Sequence, residues 1–375
     1  MPKNMIYSIL FVLLALAVII SCSQEQGAPT EKPDIVIRDA VQDADGTLKI
    51  LVYYDMEGIS GLDNPQGLKL GNEEYVPTRE LLTKDVNAVI DGLVAGGADV
   101  VDVVDAHGSG SPNPDILLDM MDSRAKMLFK DDYYAPYIDL AEQEQYDAVA
   151  VVCMHSRTDG GGFASHTYSL GTNWIMNGRA INETEIIAYS WGRVDVPVIF
   201  ASGDDRLKAE LEYLDWIEYV TVKYAKTPVD VELRPLDEVH AEMRAKAKKA
   251  VENLSMAKAV RFTTPITAQL QVFFPADLSV LENVPGIDYQ NNTVTFTAAN
   301  YREAYDGILA FIGVAGSGMA NIMREYIASR EDAVHINTGY WRFLIKRLVD
   351  FWGGSWSPSK ESDIKTEGKK YFGVR

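Results

Sequence analysis

Asp55 and Glu57 close an apolar run, Lys49-Ile-Leu-Val-Tyr-Tyr-Asp55-Met-Glu57-Gly58-Ile-Ser-Gly61, which then breaks at glycines. Acids at i and i+2 project to the same side of an extended chain, so a strand that persists through Glu57 aims both carboxylates at one spot. Two bare carboxylates side by side resist ionising together, and a divalent cation between them removes that penalty. The stretch also suits a strand followed by a solvated acidic turn, with glycines supplying positive φ. Histidines further along separate the two readings. His107 lies just beyond the apolar run 100–104, and His155 directly follows the run 148–154. A single histidine after a strand is ordinarily structural. An acid pair at one strand end and imidazoles at two others form the donor set of a metal site, on the edge where open α/β sheets bind ligands.

These side chains need a sheet to carry them. From Leu48 the pattern alternates strand and helix. Thr78 can cap a helix whose apolar positions Leu82, Val86, Val89, Ile90 and Leu93 recur at three and four and which ends at Gly96-Gly97. A strand at 100–104, an apolar helical segment at 116–121, a strand at 148–154 and another at 196–201 follow. The repeat predicts an α/β fold: a three-layer α/β/α body with a largely parallel or mixed sheet. Asp105 lies two residues before His107, on its side of the chain, where a carboxylate can orient the imidazole. Cys153 reads as a buried strand residue.

Between these strands, Gly160-Gly161-Gly162 lacks the Lys-Ser/Thr of a phosphate-binding loop. Residues 158–167 instead read as a loop over the site that carries His166, either as a proton-transfer group or as an exposed surface histidine. Asn177-Gly178 marks a hairpin with a type I′ turn. Asn182-Glu183-Thr184-Glu185 then opens a helix with a capping box. Glu183 in the first turn suits the helix dipole as well as it suits a chemical role. Of Asp204 and Asp205, one caps the helix that follows.

The chain has 375 residues and 47% hydrophobic content, enough for a sizeable core and two domains with tails. Acids outnumber bases 54 to 35, for a formal charge of −19, which argues against nucleic acid as a partner. Lys3 and the short apolar run 5–20 resemble an export signal, and Ile19-Ile20-Ser21-Cys22 resembles a bacterial lipoprotein lipobox. That resemblance implies cleavage before Cys22, lipidation of its thiol and attachment to a bacterial membrane. An uncleaved anchor helix is the other reading of the run, and it also tethers the chain.

Taken in order, Asp55-Met-Glu57-Gly-Ile-Ser-Gly, Asp105-Ala-His107, His155-Ser-Arg157, Ser165-His166 and Asn177-Gly-Arg179 with Glu183 four residues on resemble the DppA-like, zinc-dependent D-aminopeptidase family of metallopeptidases. The pieces 194–199 and 203–206 extend the likeness, which spans about residues 49–314. The resemblance implies two zinc ions per subunit, with Asp55 as bridging carboxylate and Glu57, His107, His155 and Glu183 as the other ligands. It implies His166 as the catalytic histidine, short peptides as substrate, D-amino-acid preference and a homo-oligomer. Departures from the family pattern fall beside two ligands, at Asn182-Glu183-Thr184-Glu185 and His155-Ser-Arg157-Thr, where they bear on specificity. A membrane-tethered peptide-binding lipoprotein that has lost turnover is the competing class.

The expected organisation is a signal at 1–21, a flexible spacer at 22–47, the catalytic α/β domain at 48–255, a smaller α+β domain at 256–335, and a C-terminal helix with a polar tail at 336–375. Residues 236–254, with His240, read as an exposed amphipathic helix.

Overall fold

The computed structural model describes residues 35–39, 46–111, 113–129 and 136–352. The expected signal, Cys22, most of the spacer and the tail from 353 lie outside the described residues. In chain order the strands are β1 (Ile35–Asp39), β2 (Lys49–Tyr54), β3 (Val100–Asp105), β4 (Ala125–Met127), β5 (Ala148–Met154), β6 (Thr172–Met176), β7 (Arg179–Ile181), β8 (Val198–Asp204), β9 (Glu218–Thr227), β10 (Asp230–Leu233), β11 (Lys258–Phe262), β12 (Ile266–Val272), β13 (Asp288–Gln290) and β14 (Thr293–Ala298). The α-helices are α1 (Tyr75–Gly96), α2 (Pro136–Gln143), α3 (Glu183–Gly192), α4 (Asp205–Glu210), α5 (Leu236–Glu252), α6 (Tyr301–Ala315), α7 (Ser317–Ser329) and α8 (Ala333–Trp352).

The central sheet runs β10-β9-β8-β5-β2-β3-β4, parallel throughout except for β10 at one edge. Its strands are apolar because both faces are covered. Along β2, Ile50, Val52 and Tyr54 pack into one core with Leu82 and Val86 of α1 and Val239 and Met243 of α5. Leu51 and Tyr53 face the other core with Tyr137 of α2 and Ile187 and Trp191 of α3. The period of two makes the fold a three-layer α/β/α body. The chain leaves β2 toward β3 on one side and returns to β5 on the other. That topological switch point opens a crevice at the carboxyl ends of the strands.

A second sheet, β13-β14-β12-β6-β7, is antiparallel and packs α6 on its core. Its membership crosses the boundary drawn at 255/256, since β6 pairs with β12 from Ala268↔Met176 to Val272↔Thr172. The hairpin signal accounts for β6 and β7: Asn177 and Gly178 both take positive φ, 50° and 81°, as a type I′ turn requires.

Three local expectations differ from the structure. Helix α1 begins three residues before Thr78, whose hydroxyl bonds back to the Glu74 carbonyl instead of capping. Residues 116–121 are turns and bends: a single turn closes, with Met120 and Met121 N–H both on Leu117 O, while the Ile116 and Leu117 amides donate to the Tyr54 and Thr83 hydroxyls. Within the expected spacer, residues 35–39 form β1, antiparallel to β11.

Candidate metal centre

Strand β2 stops at Tyr54, so extended geometry does not deliver both acids as the i, i+2 spacing suggests. A turn brings them together. Asp55 N–H donates to Val152 O at 2.9 Å, and Gly58 N–H to Cys153 O at 2.8 Å, which stitches the turn to the end of β5. Cys153 makes this possible by adopting φ +61°, beside a register shift between β5 and β8. An L residue there is strained, and such strain gathers at functional sites. The next residue but one is His155.

His107 follows β3 and is fixed from three sides. Its backbone N–H donates to Asp105 Oδ1 at 2.9 Å, Nε2 lies 2.9 Å from Leu68 O, and Nδ1 lies 2.8 Å from Asp55 Oδ1 and 3.4 Å from Glu57 Oε2. Asp105 therefore differs from its expected role of orienting the imidazole. It holds the main chain of His107, and its other oxygen accepts from Tyr54 OH and Asp115 N.

His155 Nδ1 lies 2.9 Å from Ser156 O, while Nε2 stands 3.3 Å from both Asp55 Oδ2 and Glu183 Oε1. Glu183 is the first residue of α3, capped by Asn182, whose side chain accepts from Glu185 N–H in a reciprocal capping box. Tyr137 OH and Tyr168 N–H, each at 2.7 Å, hold the two oxygens of Glu183. His166 stacks on His155 with ring centres 4.2 Å apart, and its Nε2 lies 3.7 Å from Glu183 Oε1. Cys153 is buried with its thiol 3.4 Å from Asp85, away from this cluster.

Every candidate from Asp55 to Glu183, with His166, thus meets in one place. Donor atoms of Asp55, Glu57 and His107 lie within 4.8 Å of one another, as do those of Asp55, His155 and Glu183, and those of Glu57, His155 and His166. Glu57 and His155 also belong to two groups each, but Asp55 turns Oδ1 to His107 and Oδ2 to His155, the position of a shared carboxylate. The cluster opens on a cavity of about 580 Å³ whose wall includes Lys69, Tyr168, Leu170, Val229, Ile312 and Met319. A larger cavity, about 790 Å³, sits by Lys49 and Val100 at the opposite, amino-terminal edge of the sheet and has no histidine or cysteine in its wall.

The electrostatics follow from burying three acids with two imidazoles, beside a third that is part-exposed. Burial and repulsion from Glu57 raise the Asp55 carboxyl, against the pull of His107 and His155. Burial also pushes Glu57 upward, but the charges of His107, His155 and His166 overcome it and hold this acid well below the usual range. Glu183 is likewise brought down to about 2, burial being outweighed by His155, His166 and Tyr137. His107 and His155 rise well above 6.5 because the carboxylates outweigh burial, which alone would lower them.

Hydrogen-bond chemistry tests whether a cation fits. A backbone carbonyl only accepts, so His107 Nε2 and His155 Nδ1 must carry their protons. In the neutral rings, the lone pairs of His107 Nδ1 and His155 Nε2 then point at carboxylate oxygens, which is repulsive unless a positive charge lies between. Glu57 Oε2 and His155 Nε2 are buried with no hydrogen-bond partner among the described residues. The donor set, N and O only, suits zinc or a similar divalent ion.

Three supports of the cluster had no sequence signal: Leu68, which acts through a carbonyl, Tyr137 on an unanticipated helix, and Lys223 on β9. His240, expected on an exposed face, instead reaches buried Asp85, Nε2 to Oδ1 2.8 Å.

Comparison with known proteins gives concordant matches. A family model described as D-aminopeptidase matches residues 48–310. A D-aminopeptidase of Bacillus subtilis (strain 168) is 26% identical over 291 residues, covering 72% of this chain and 98% of that one. The solved Zn-dependent D-aminopeptidase DppA from Bacillus subtilis, described as a self-compartmentalizing protease, superposes with a TM-score of 0.64 at 22% identity, over 72% of this chain and 98% of that one.

Proposed function

This chain belongs to the D-aminopeptidase family, and from that premise we propose that it is a zinc-dependent enzyme that removes an N-terminal D-residue from short peptides. The observation that carries the reading is Asp55 standing in two donor groups at once while imidazole lone pairs face the same carboxylates. Asp55, Glu57 and His107 would hold one ion, and Asp55, His155 and Glu183 a second. The zinc dependence of the solved relative supports that metal. When bound, such ions supply Lewis acidity at the scissile carbonyl and a water acidified to near neutrality.

The chain's own groups supply the remainder. His166 Nδ1 lies 3.0 Å from Ala164 O and so carries the proton in the neutral ring. Nε2 is left to take a proton from the attacking water and pass it to the departing amine. Tyr137 and Tyr168 keep Glu183 from rotating. A cavity of this size takes a small ligand and excludes a folded protein.

Export and anchoring through Cys22 form part of the same proposal, supported by the lipobox-like sequence. So does homo-oligomerisation, supported by the relative's self-compartmentalizing assembly and by Met319, Ile322, Met323 and Tyr326 exposed on α7. The deciding experiment measures zinc per chain in purified protein and release of D-alanine from D-alanyl-D-alanine before and after chelation. Bound zinc with chelator-sensitive release is the expected result. Metal-free protein that binds the peptide unchanged would reverse the proposal.

A further inference from the structure

Lys223 on β9 is completely buried, the only lysine or arginine so placed among the described residues. Taking an ammonium out of water is costly, and among the described residues no carboxylate pairs directly with it. Its Nζ donates instead to two main-chain carbonyls, Glu57 O and Leu62 O, both at 2.8 Å. These are the two ends of the turn that carries Glu57. The middle of the turn is held from another side, where Ser60 N–H and Oγ–H donate to buried Asp85 at 2.7 and 2.5 Å. The same ammonium lies 4.4 Å from the centre of the Phe163 ring, a cation–π contact. Phe163 is in the loop that bears His166, and its N–H is fixed by Asp204 Oδ2 at 2.8 Å.

An apolar side chain would fill this place in a buried strand at lower cost, so the lysine's contribution lies in what its donors hold. We propose that Lys223 is a positioning residue for the metal centre: it locks the 57–62 turn so that Glu57 is aimed at its ion, and it ties that turn to the loop of His166. The assignment rests on the reading of the cluster as a zinc site. Polar partners of metal ligands typically govern affinity by 10–100-fold.

The test uses the full chain and zinc alone. Zinc affinity is measured by competition with a chromophoric chelator in wild type, Lys223→Met and Lys223→Gln, with thermal melts of each metal-free protein beside it. The expected result is binding weaker by about 10-fold or more in the Met variant, with partial recovery in the Gln variant, which keeps N–H donors without charge. Loss of a nearby positive charge would by itself tighten cation binding, so weakening identifies positioning. An unchanged or tighter affinity, with only a lower melting temperature, would show a merely structural lysine and overturn the proposal. Should the Met variant not fold, the Gln variant decides: its side chain is shorter, and affinity equal to wild type overturns the assignment. Wild type that fails to bind zinc would overturn the metal reading itself, and with it this inference.

Discussion

Mutual pairing of imidazoles and carboxylates makes the centre respond to pH in a fixed direction. In the metal-free protein, the raised His107 and His155 contribute stability that is full below about pH 6.5 and lost as pH rises through their folded values. The depressed Glu57 and Glu183 contribute above about pH 4.5 and lose it as pH falls. The raised Asp55 works the other way, losing stability as pH climbs from about 3.8, so the two histidines and two glutamates together add most roughly between pH 4.5 and 6.5. Zinc has to displace the histidine protons, so its stabilising effect should grow with pH. Calorimetric melts with and without zinc should show a larger zinc-induced rise in Tm at about pH 8 than at about pH 6. The reverse order would contradict the ligand assignment. His166 stacks beside the ligands yet stands outside both Asp55-centred groups. Its replacement by Ala is expected to lower kcat by about 10²–10⁴-fold while zinc content stays near wild type. Loss of zinc in parallel with kcat would make it a ligand instead. Glu183→Gln is expected to do what His166→Ala does not: reduce the zinc bound per chain, read by metal analysis after dialysis.

At the scale of elements, the sheet edge was legible because apolar runs ending in Asp, His and His stand out against the period of the strands. The capping box at Asn182 and the Asn177-Gly178 turn were equally plain, since each depends on residues only a few positions apart. What could not be read was the way the ends of β2 and β5 interlock. Glu57 reaches the site through a turn whose hydrogen bonds run to residues about a hundred positions away, and Lys223 lies further still along the chain. Long-range partners of this kind leave no local pattern. Segment 116–121 has an apolar helical period, but a single turn closes in it, on Leu117 O, and the Tyr54 and Thr83 side chains fix its start, tertiary contacts that override propensity. Gly58 is where the interlock is tightest: a Cβ there would meet the Met154 carbonyl oxygen. Gly58→Ala should destabilise the fold by about 1–3 kcal/mol and weaken zinc binding, as read by denaturant melts and chelator competition. A variant with wild-type stability and affinity would show that the two strand ends are free to separate.

For the whole molecule, the family match ends at residue 310 and the chain continues through α7 and α8. Helix α7 has no buried residue, yet Met319 on it reaches the wall of the cavity. The sequence points to a C-terminal helix only from 336 on, and no motif in it connects α7 with the site. At the other end, the proposed lipidation predicts that cells fed a labelled fatty acid mark the wild-type chain and not Cys22→Ser, followed by immunoprecipitation. A wild-type chain that takes up no label would point to an uncleaved anchor. The sharing of β6 between the two halves of the chain has a practical result for anyone dividing it. A fragment ending near residue 255 would keep all six clustered acids and histidines but leave β6 without β12, its partner from Ala268 to Val272. The bare backbone of Thr172–Met176, rich in unpaired N–H and C=O groups, would then recruit strands from neighbouring molecules, and such a fragment should precipitate before its chemistry could be assayed.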